Sequence, residues 1–183
     1  MRVLVVHNRY RSDSPSGENE AVDGQVRALR QAGLEVQIYQ RSSDEIAEFT
    51  ACAKAGLAYR PFRSPADMRA LHRSIRAWRP DIMHVHNLYP LLSPGVLDVA
   101  ADAGIPIVHT VHNYRSWCPA GTCFRQGKIC QDCVGRRVAW PAVANACYRG
   151  SRLTSACLSG AMALNRRRWD VVARWIAPSE PIR

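Results

Sequence analysis

Short apolar runs alternate with amphipathic stretches along this chain. Val3–Val6 is a continuous apolar run, and Glu35–Tyr39 is a second strand-like segment. Between them, apolar residues recur at helical spacing from about Glu18 to Gly33, where the glycine suits a helix C-terminal cap. The pattern predicts a strand–helix–strand opening, which is typical of a parallel sheet with right-handed crossovers.

The same alternation continues through most of the chain. It predicts helices over residues 44–57, 65–78, 94–103 and 152–168, and strands that end near residues 86, 111 and 177. Ser64-Pro65-Ala66-Asp67 resembles a capping box with proline at the first helical position. We therefore expect one α/β domain over residues 1–183, a Rossmann-like parallel sheet sandwiched by helices.

The regular pattern disappears between residues 114 and 151, where Cys, Gly, Pro and Trp are frequent. Loops of this length are usually functional or held by additional bonds. Five of the seven cysteines fall between Cys118 and Cys147, whereas Cys52 and Cys157 lie in helical apolar patterns and are expected in the core. The segment 114–151 is therefore interpreted as a Cys-rich insertion within the domain.

Two of the predicted strands end in the same dipeptide, His86-Asn87 and His112-Asn113. Ligands of open α/β sheets bind beyond the carboxyl ends of the strands, so both dipeptides should face one crevice. An imidazole can donate or accept a proton or a hydrogen bond near neutral pH, which favours an enzyme. His84 and His109, which lie within the strands, are expected to be hydrogen-bonded core residues.

The spacing of the cysteines suggests a metal site. Cys130-Gln-Asp-Cys133 lets two sulfurs face one ion, and Cys118 and Cys147 would complete a tetrahedral zinc site, with Cys123 as a competing ligand. The chain begins without a recognisable signal peptide, so clustered cysteines favour a metal or redox interpretation over structural disulfides. Free thiols, or a disulfide formed only on oxidation, are the alternatives.

The formal net charge of +10 comes almost entirely from arginine. Such a charge attracts nucleic acid, anionic lipid or phosphorylated substrates. No stripe of basic and aromatic residues indicates base stacking, so nucleic acid is not expected. No apolar run approaches the roughly 20 residues of a membrane-spanning helix, which predicts a cytoplasmic protein. Arg166–Arg168 could contact an anionic surface, which would place the protein peripherally at the inner membrane face.

The order of these segments resembles the N-terminal domain of a retaining glycosyltransferase of family 4 with the GT-B fold. The matching segments are the loop around Gly17, Pro80–His86, Val108–Asn113 and the closing Trp175–Glu180. Together they cover essentially the whole chain. The family usually has two adjacent glycines in the first loop, whereas this chain has Gly17 alone.

The resemblance implies one half of a two-domain enzyme, with the acceptor held by this domain and the nucleotide sugar by a C-terminal domain that is absent here. It implies sugar transfer with retention to a sugar or lipid-linked acceptor, no cofactor for the chemistry, and no turnover without the donor-binding domain. His112 is the expected catalytic residue. The residues expected to bind substrate are Gly17, His86, Asn87, Asn113, Tyr114 and Arg115.

Two other functions fit parts of the sequence. A zinc-clamped Rossmann-like module that binds a nucleotide, a nucleic acid or a protein without catalysis would explain the net charge and the absent donor domain. A zinc hydrolase using His84, His86 and His112 lacks a supporting carboxylate motif. The strand-end histidines favour the transferase over both.

Overall fold

A five-stranded parallel sheet forms the centre of the computed structural model, which describes residues 1–178. The strands in chain order are β1 (Arg2–Arg9), β2 (Glu35–Ser42), β3 (Ile82–Val85), β4 (Ile107–Thr110), β5 (Phe124–Arg125), β6 (Lys128–Ile129) and β7 (Val172–Ile176). The sheet has the order β2-β1-β3-β4-β7, and every neighbouring pair is parallel. This is a Rossmann-like doubly wound arrangement, as the sequence predicted.

Helices connect the strands of the sheet. They are α1 (Gly17–Gln31), α2 (Glu45–Glu48), α3 (Ala51–Ala55), α4 (Pro65–Trp78), α5 (Gly95–Asp102), α6 (Trp140–Ala144) and α7 (Arg152–Asn165). Three short 3₁₀ segments span Gly56–Ala58, Tyr114–Ser116 and Arg166–Val171. The predicted strands of the sheet and the helices predicted over residues 18–33, 65–78, 94–103 and 152–168 are confirmed, with ends that differ by a few residues, whereas the helix predicted over residues 44–57 is divided.

Both faces of the sheet are buried because successive side chains of a strand point to opposite faces. Leu4 and Val6 of β1 belong to a core cluster that includes Leu71 of α4 and Leu97 of α5. Val3 and Val5 belong to a second cluster with Val22 and Val26 of α1. The continuous apolar run of β1 is thus explained by a central strand covered on both sides.

The predicted helix over residues 44–57 is divided in the structure. Phe49 is extended (ψ 135°), which ends α2, and the Thr50 hydroxyl then caps α3 by accepting a hydrogen bond from the Ala53 N–H. Local capping therefore prevails over the apolar spacing that suggested one helix. Cys52, expected in the core, is exposed on α3.

The capping box predicted at the start of α4 is wrong. The Ser64 side chain makes no cap hydrogen bond and instead contacts the Ser93 hydroxyl at 3.1 Å. Pro65 does stand at the start of α4, where its missing N–H costs nothing. The Ser64 side chain contacts a residue that is distant in the sequence, and the local spacing of residues 64–67 could not predict this contact.

The insertion has little core of its own. It contains the hairpin β5–β6 and the short helix α6. The apolar side chains of Phe124, Ile129 and Trp140 are each more than half exposed. Hydrophobic burial therefore contributes little to holding the insertion in place.

No helix within residues 1–178 is long and apolar enough to cross a membrane. The arginine run expected at a membrane surface is divided in the structure. Arg166 faces the main cavity described below, and Arg168 forms an ion pair with Asp98. The run therefore does not form a single cationic patch.

Candidate functional site

A cavity of about 640 Å³ opens at the carboxyl edge of the sheet. The ends of β3 and β4, the first turn of α1 and the insertion form most of its wall, and the segment from α7 to β7 closes it. The size is typical of a small-molecule site. The position is the one at which doubly wound sheets bind ligands, because loops from several strand ends meet there.

His86 and His112 meet in this cavity, as their positions at two strand ends predicted. His86 Nδ1 lies 2.8 Å from His112 Nε2, and the two rings stack with centroids 5.1 Å apart. His86 is almost completely buried, whereas His112 is partly exposed to the cavity. The hydrogen bond fixes the orientation of the His112 ring.

The proton between the two rings can be assigned from burial. His86 Nε2 is buried without a hydrogen-bond partner among residues 1–178. A buried donor without a partner is rarer than a buried acceptor without one, so Nε2 should carry no proton. His86 Nδ1–H then donates to His112 Nε2, and His112 carries its own proton on Nδ1. This tautomer gives His112 a donor for a ligand.

The histidine pair is held neutral at physiological pH. Burial lowers the pKa of His112, and burial together with the nearby rings of His84 and His112 lowers the pKa of His86 to about 2. His84 and His109 behave as the predicted core residues. His84 Nε2 lies 2.8 Å from Thr110 Oγ1, and His109 Nδ1–H donates to the Val85 carbonyl at 3.0 Å.

Glu18 is a site residue that the sequence analysis missed. Its Oε2 atom accepts a hydrogen bond from the Asn113 side-chain amide (3.3 Å), and the Tyr10 side chain and the Asn87 backbone lie close enough to lower its pKa. Its Oε1 atom is buried without a partner among residues 1–178. Burial raises the pKa of this carboxyl to about 7, although the Arg115 charge lowers it. Glu18 therefore lines the cavity with a carboxyl that has one buried oxygen without a partner among residues 1–178 and a pKa near neutral pH.

The sequence signal at Glu18 points to another role. An acidic residue in the first turn of a helix is ordinarily explained by the helix dipole. Only the packing of Tyr10 and of the two strand-end asparagines against it shows that Glu18 is buried. The absence of the family's second glycine at this position was the available hint.

The two strand-end asparagines, Asn87 and Asn113, form hydrogen bonds with protein groups around the cavity. The Asn87 amide donates to the carbonyls of Asn8 (3.1 Å) and Tyr89 (2.8 Å), so its donors are used within the protein. The Asn113 amide donates to Glu18, and its oxygen accepts from the Arg115 N–H at 3.0 Å. Both residues line the cavity, but their side-chain donors face protein groups.

Two of the residues expected to bind substrate do not line this cavity. Gly17 is the first residue of α1, which Ser16 caps by accepting a hydrogen bond from the Asn19 N–H. Tyr114 begins the 3₁₀ turn of the insertion and is partly buried. Their roles stay predictions, whereas the neighbouring Glu18 and Arg115 do line the cavity.

Cationic side chains predominate around the cavity. The arginines that line it are Arg115, Arg136, Arg137 and Arg166, against the two acids Glu18 and Asp170. The Arg115 guanidinium also lies over the Tyr148 ring, 5.7 Å from its centroid, and its Nε is buried without a partner among residues 1–178. The arrangement favours a ligand that carries phosphate or carboxylate.

An aromatic cluster lies at the other side of the cavity. The His109 ring centroid is 4.7 Å from that of Trp169 and 5.0 Å from that of Trp175. Trp175 is nearly half exposed. A partly exposed indole offers an apolar face on which a sugar ring or a base can stack.

The five cysteines of the insertion line a second, small cavity of about 20 Å³. All of them are free thiols. Burial raises the pKa of the Cys123 thiol to about 11, and it also raises the pKa of Cys133 and of Cys147. Within residues 1–178, no group of three His, Cys, Asp or Glu side chains is placed so that it could hold a metal ion, and the four-cysteine zinc site stays a prediction.

The Glycosyltransferase Family 4 model matches residues 16–183 of this chain. This span includes the closing segment, of which Ser179 and Glu180 lie outside the described residues. No curated protein matches the chain significantly.

Two solved structures show a distant likeness. The S. aureus MnaA–UDP co-structure has 16% identity and a TM-score of 0.42, over 63% of this chain and 30% of that chain. A periplasmic ribose ABC transporter from Conexibacter woesei has 11% identity and a TM-score of 0.32, over 96% of this chain and 54% of that chain. The chain thus spans about a third and about half of these proteins, and neither likeness carries a functional argument.

Proposed function

The chain belongs to glycosyltransferase family 4, and from that premise we propose that it is the acceptor-side half of an enzyme. This enzyme transfers a sugar from a nucleotide-sugar donor to an acceptor with retention of configuration. The observation that carries the proposal is the convergence of His86, His112 and Glu18 on one cavity of about 640 Å³ at the carboxyl edge of the sheet.

His112 is the proposed catalytic residue. In the reaction, the bond between the anomeric carbon and the nucleotide phosphate breaks, an acceptor oxygen bonds to that carbon, and the proton of the acceptor hydroxyl passes to the departing nucleoside diphosphate. The lowered pKa keeps the His112 ring neutral, so it can donate its Nδ1–H to a sugar oxygen without placing a positive charge beside the electron-poor anomeric carbon. The hydrogen bond to His86 holds the ring in that orientation.

Glu18 is the proposed partner of an acceptor hydroxyl. Its buried Oε1 atom lacks a partner among residues 1–178, and a hydroxyl in the cavity would satisfy it. Because its pKa lies near 7, the carboxyl can accept from the hydroxyl when ionised and donate when protonated. The hydrogen bond from the Asn113 side chain to Oε2 holds the carboxylate in this position.

The acceptor we propose carries an anionic group. The arginines around the cavity outnumber its acids, and a guanidinium binds phosphate or carboxylate in a bidentate manner. Trp175 offers a stacking face for the sugar portion. A lipid-linked phosphate acceptor combines these features, and it would bring a cytoplasmic enzyme to the inner face of the membrane.

The nucleotide sugar would be held mainly by a second domain downstream of this chain. On its own, the chain would then bind acceptor but would not transfer sugar. This division follows from the family resemblance.

The test is sugar transfer by the protein extended through its natural downstream sequence, with a panel of UDP- and GDP-sugars. His112→Ala should lower kcat/KM by about 10²–10⁴-fold. His72→Ala is the matched control, because His72 is exposed on α4 and does not line the cavity. Absence of donor binding and turnover across the panel would contradict the proposal and favour a binding module, and unchanged turnover in His112→Ala would remove His112 from the chemistry.

A further inference from the structure

The five clustered cysteines converge although they are far apart in sequence. They line the small cavity under the insertion, together with Arg125 and Asp132. The cavity volume of about 20 Å³ is close to the space needed for one water molecule and suits an ion without its hydration shell. The surrounding insertion has little buried apolar surface, since Phe124 and Ile129 are largely exposed.

Backbone contacts hold the cysteine-bearing segments against one another. The Cys130 N–H donates to the Cys123 carbonyl at 2.8 Å across the β5–β6 hairpin. The Arg125 guanidinium reaches Asp132 Oδ2 at 3.0 Å and Asn145 Oδ1 at 2.8 Å. Because Asn145 directly precedes the turn that carries Cys147, this arginine holds the last cysteine beside the Cys130–Cys133 pair.

We propose that Cys118, Cys130, Cys133 and Cys147 bind one Zn²⁺ as thiolates. Four sulfur ligands in a tetrahedron are the preferred structural environment of zinc. Binding releases the four thiol protons to solvent and needs no oxidant or reductant. Cys123 stays outside the proposed ligand set, and the interaction of its side chain with Cys118 is lost when Cys118 binds the ion.

The thiols must close on the ion from their present positions. In the arrangement of residues 1–178, no three acidic, histidine or cysteine side chains are placed so that they could hold a metal ion, and the Cys118 and Cys123 side chains interact with each other. Side-chain rotation and the loss of that interaction are small changes relative to the free energy of zinc binding by four thiolates. The fold therefore brings the four cysteines to one place, and the bound ion would fix their side-chain rotamers.

Zinc would stabilise the wall of the main cavity. Arg115 and Trp117 immediately precede Cys118, and Arg136 and Arg137 closely follow Cys133; all four line the 640 Å³ cavity. Loss of the ion should therefore loosen acceptor binding more than it slows the chemical step. This consequence rests on the proposed function, whereas metal binding itself does not.

The experiment is metal analysis of the purified full-length protein, kept reduced and free of chelators. We expect about one zinc per chain, replaceable by Co²⁺ with thiolate-to-metal charge-transfer absorption. Cys147→Ser and Cys130→Ser should lose the metal, whereas Cys123→Ser and the exposed Cys52→Ser should keep it.

Three results would overturn the inference. Wild-type protein without zinc that also fails to bind Co²⁺ would exclude the site, and this measurement holds even where a variant does not fold. Intramolecular disulfides among the five cysteines, found in protein isolated without reductant, would show that the cysteines form a redox pair and not a metal site. Retention of zinc in Cys147→Ser together with its loss in Cys123→Ser would refute the ligand set. Each readout is independent of sugar transfer, so a failure of the proposed function is distinguishable.

Discussion

Replacement of Glu18 by glutamine should change how the stability of the protein depends on pH. Burial raises the pKa of this carboxyl from 4.5 to about 7, so the folded state holds a proton that the unfolded state has released between these values. The associated stabilisation is fully present below about pH 4.5 and is lost as pH rises through 7. The full difference corresponds to about 3 kcal/mol, at roughly 1.4 kcal/mol per pKa unit.

The measurement is urea-induced unfolding of wild type and Glu18→Gln at several pH values. Between about pH 5.5 and about pH 8.5, the wild-type free energy of unfolding should fall by roughly 2 kcal/mol relative to the variant. Comparing the two proteins at each pH cancels the histidines, which titrate in both. Glu20→Gln, which changes an exposed carboxylate in the same helical turn, should follow wild type.

A constant difference between wild type and Glu18→Gln across that pH range would refute the reasoning. It would mean that Glu18 is solvated in solution and that its free oxygen is satisfied by water. The absolute stability of the variant is a weaker test, because glutamine also changes the hydrogen bond with Asn113. The pH slope isolates the ionisation from that change.

Two further outcomes follow from buried charges and rings. The free energy of unfolding should fall as pH falls from about 6.5 toward 4, because burial lowers the pKa of His84 and of His109 to about 4. In urea unfolding, this fall should be smaller for His84→Gln than for wild type, and it should be unchanged for His72→Gln. Asp67→Ala should lower the free energy of unfolding by about 3 kcal/mol, because this almost fully buried carboxylate lies 2.5 Å from the Arg41 guanidinium. Asp23→Ala, which breaks the partly exposed ion pair with Arg9, should lower it by under about 1 kcal/mol in the same assay.

The sheet was predictable because each of its strands has a local signature. The apolar run of β1 requires cover on both faces, and the helical spacing that follows it supplies one cover. The helix over residues 44–57 failed because its apolar spacing was real but the extended Phe49 and the Thr50 cap divide it. The spacing of apolar residues shows which face of a helix can be buried, whereas capping residues determine where the helix ends.

The candidate site divides along the same line. The meeting of His86 and His112 was predictable because the carboxyl ends of parallel strands lie at one edge of the sheet. The residue type and its position at the end of a strand were enough to predict that the two rings share a crevice. Glu18 was not predictable, because its chemistry comes from groups that approach it from three other places in the chain: the loop after β1, the end of β3 and the end of β4. The same carboxylate on an isolated helix would be an ordinary solvated acid at the positive end of the dipole. Tertiary burial raises the pKa of this carboxyl to about 7, and the role proposed for Glu18 depends on that burial.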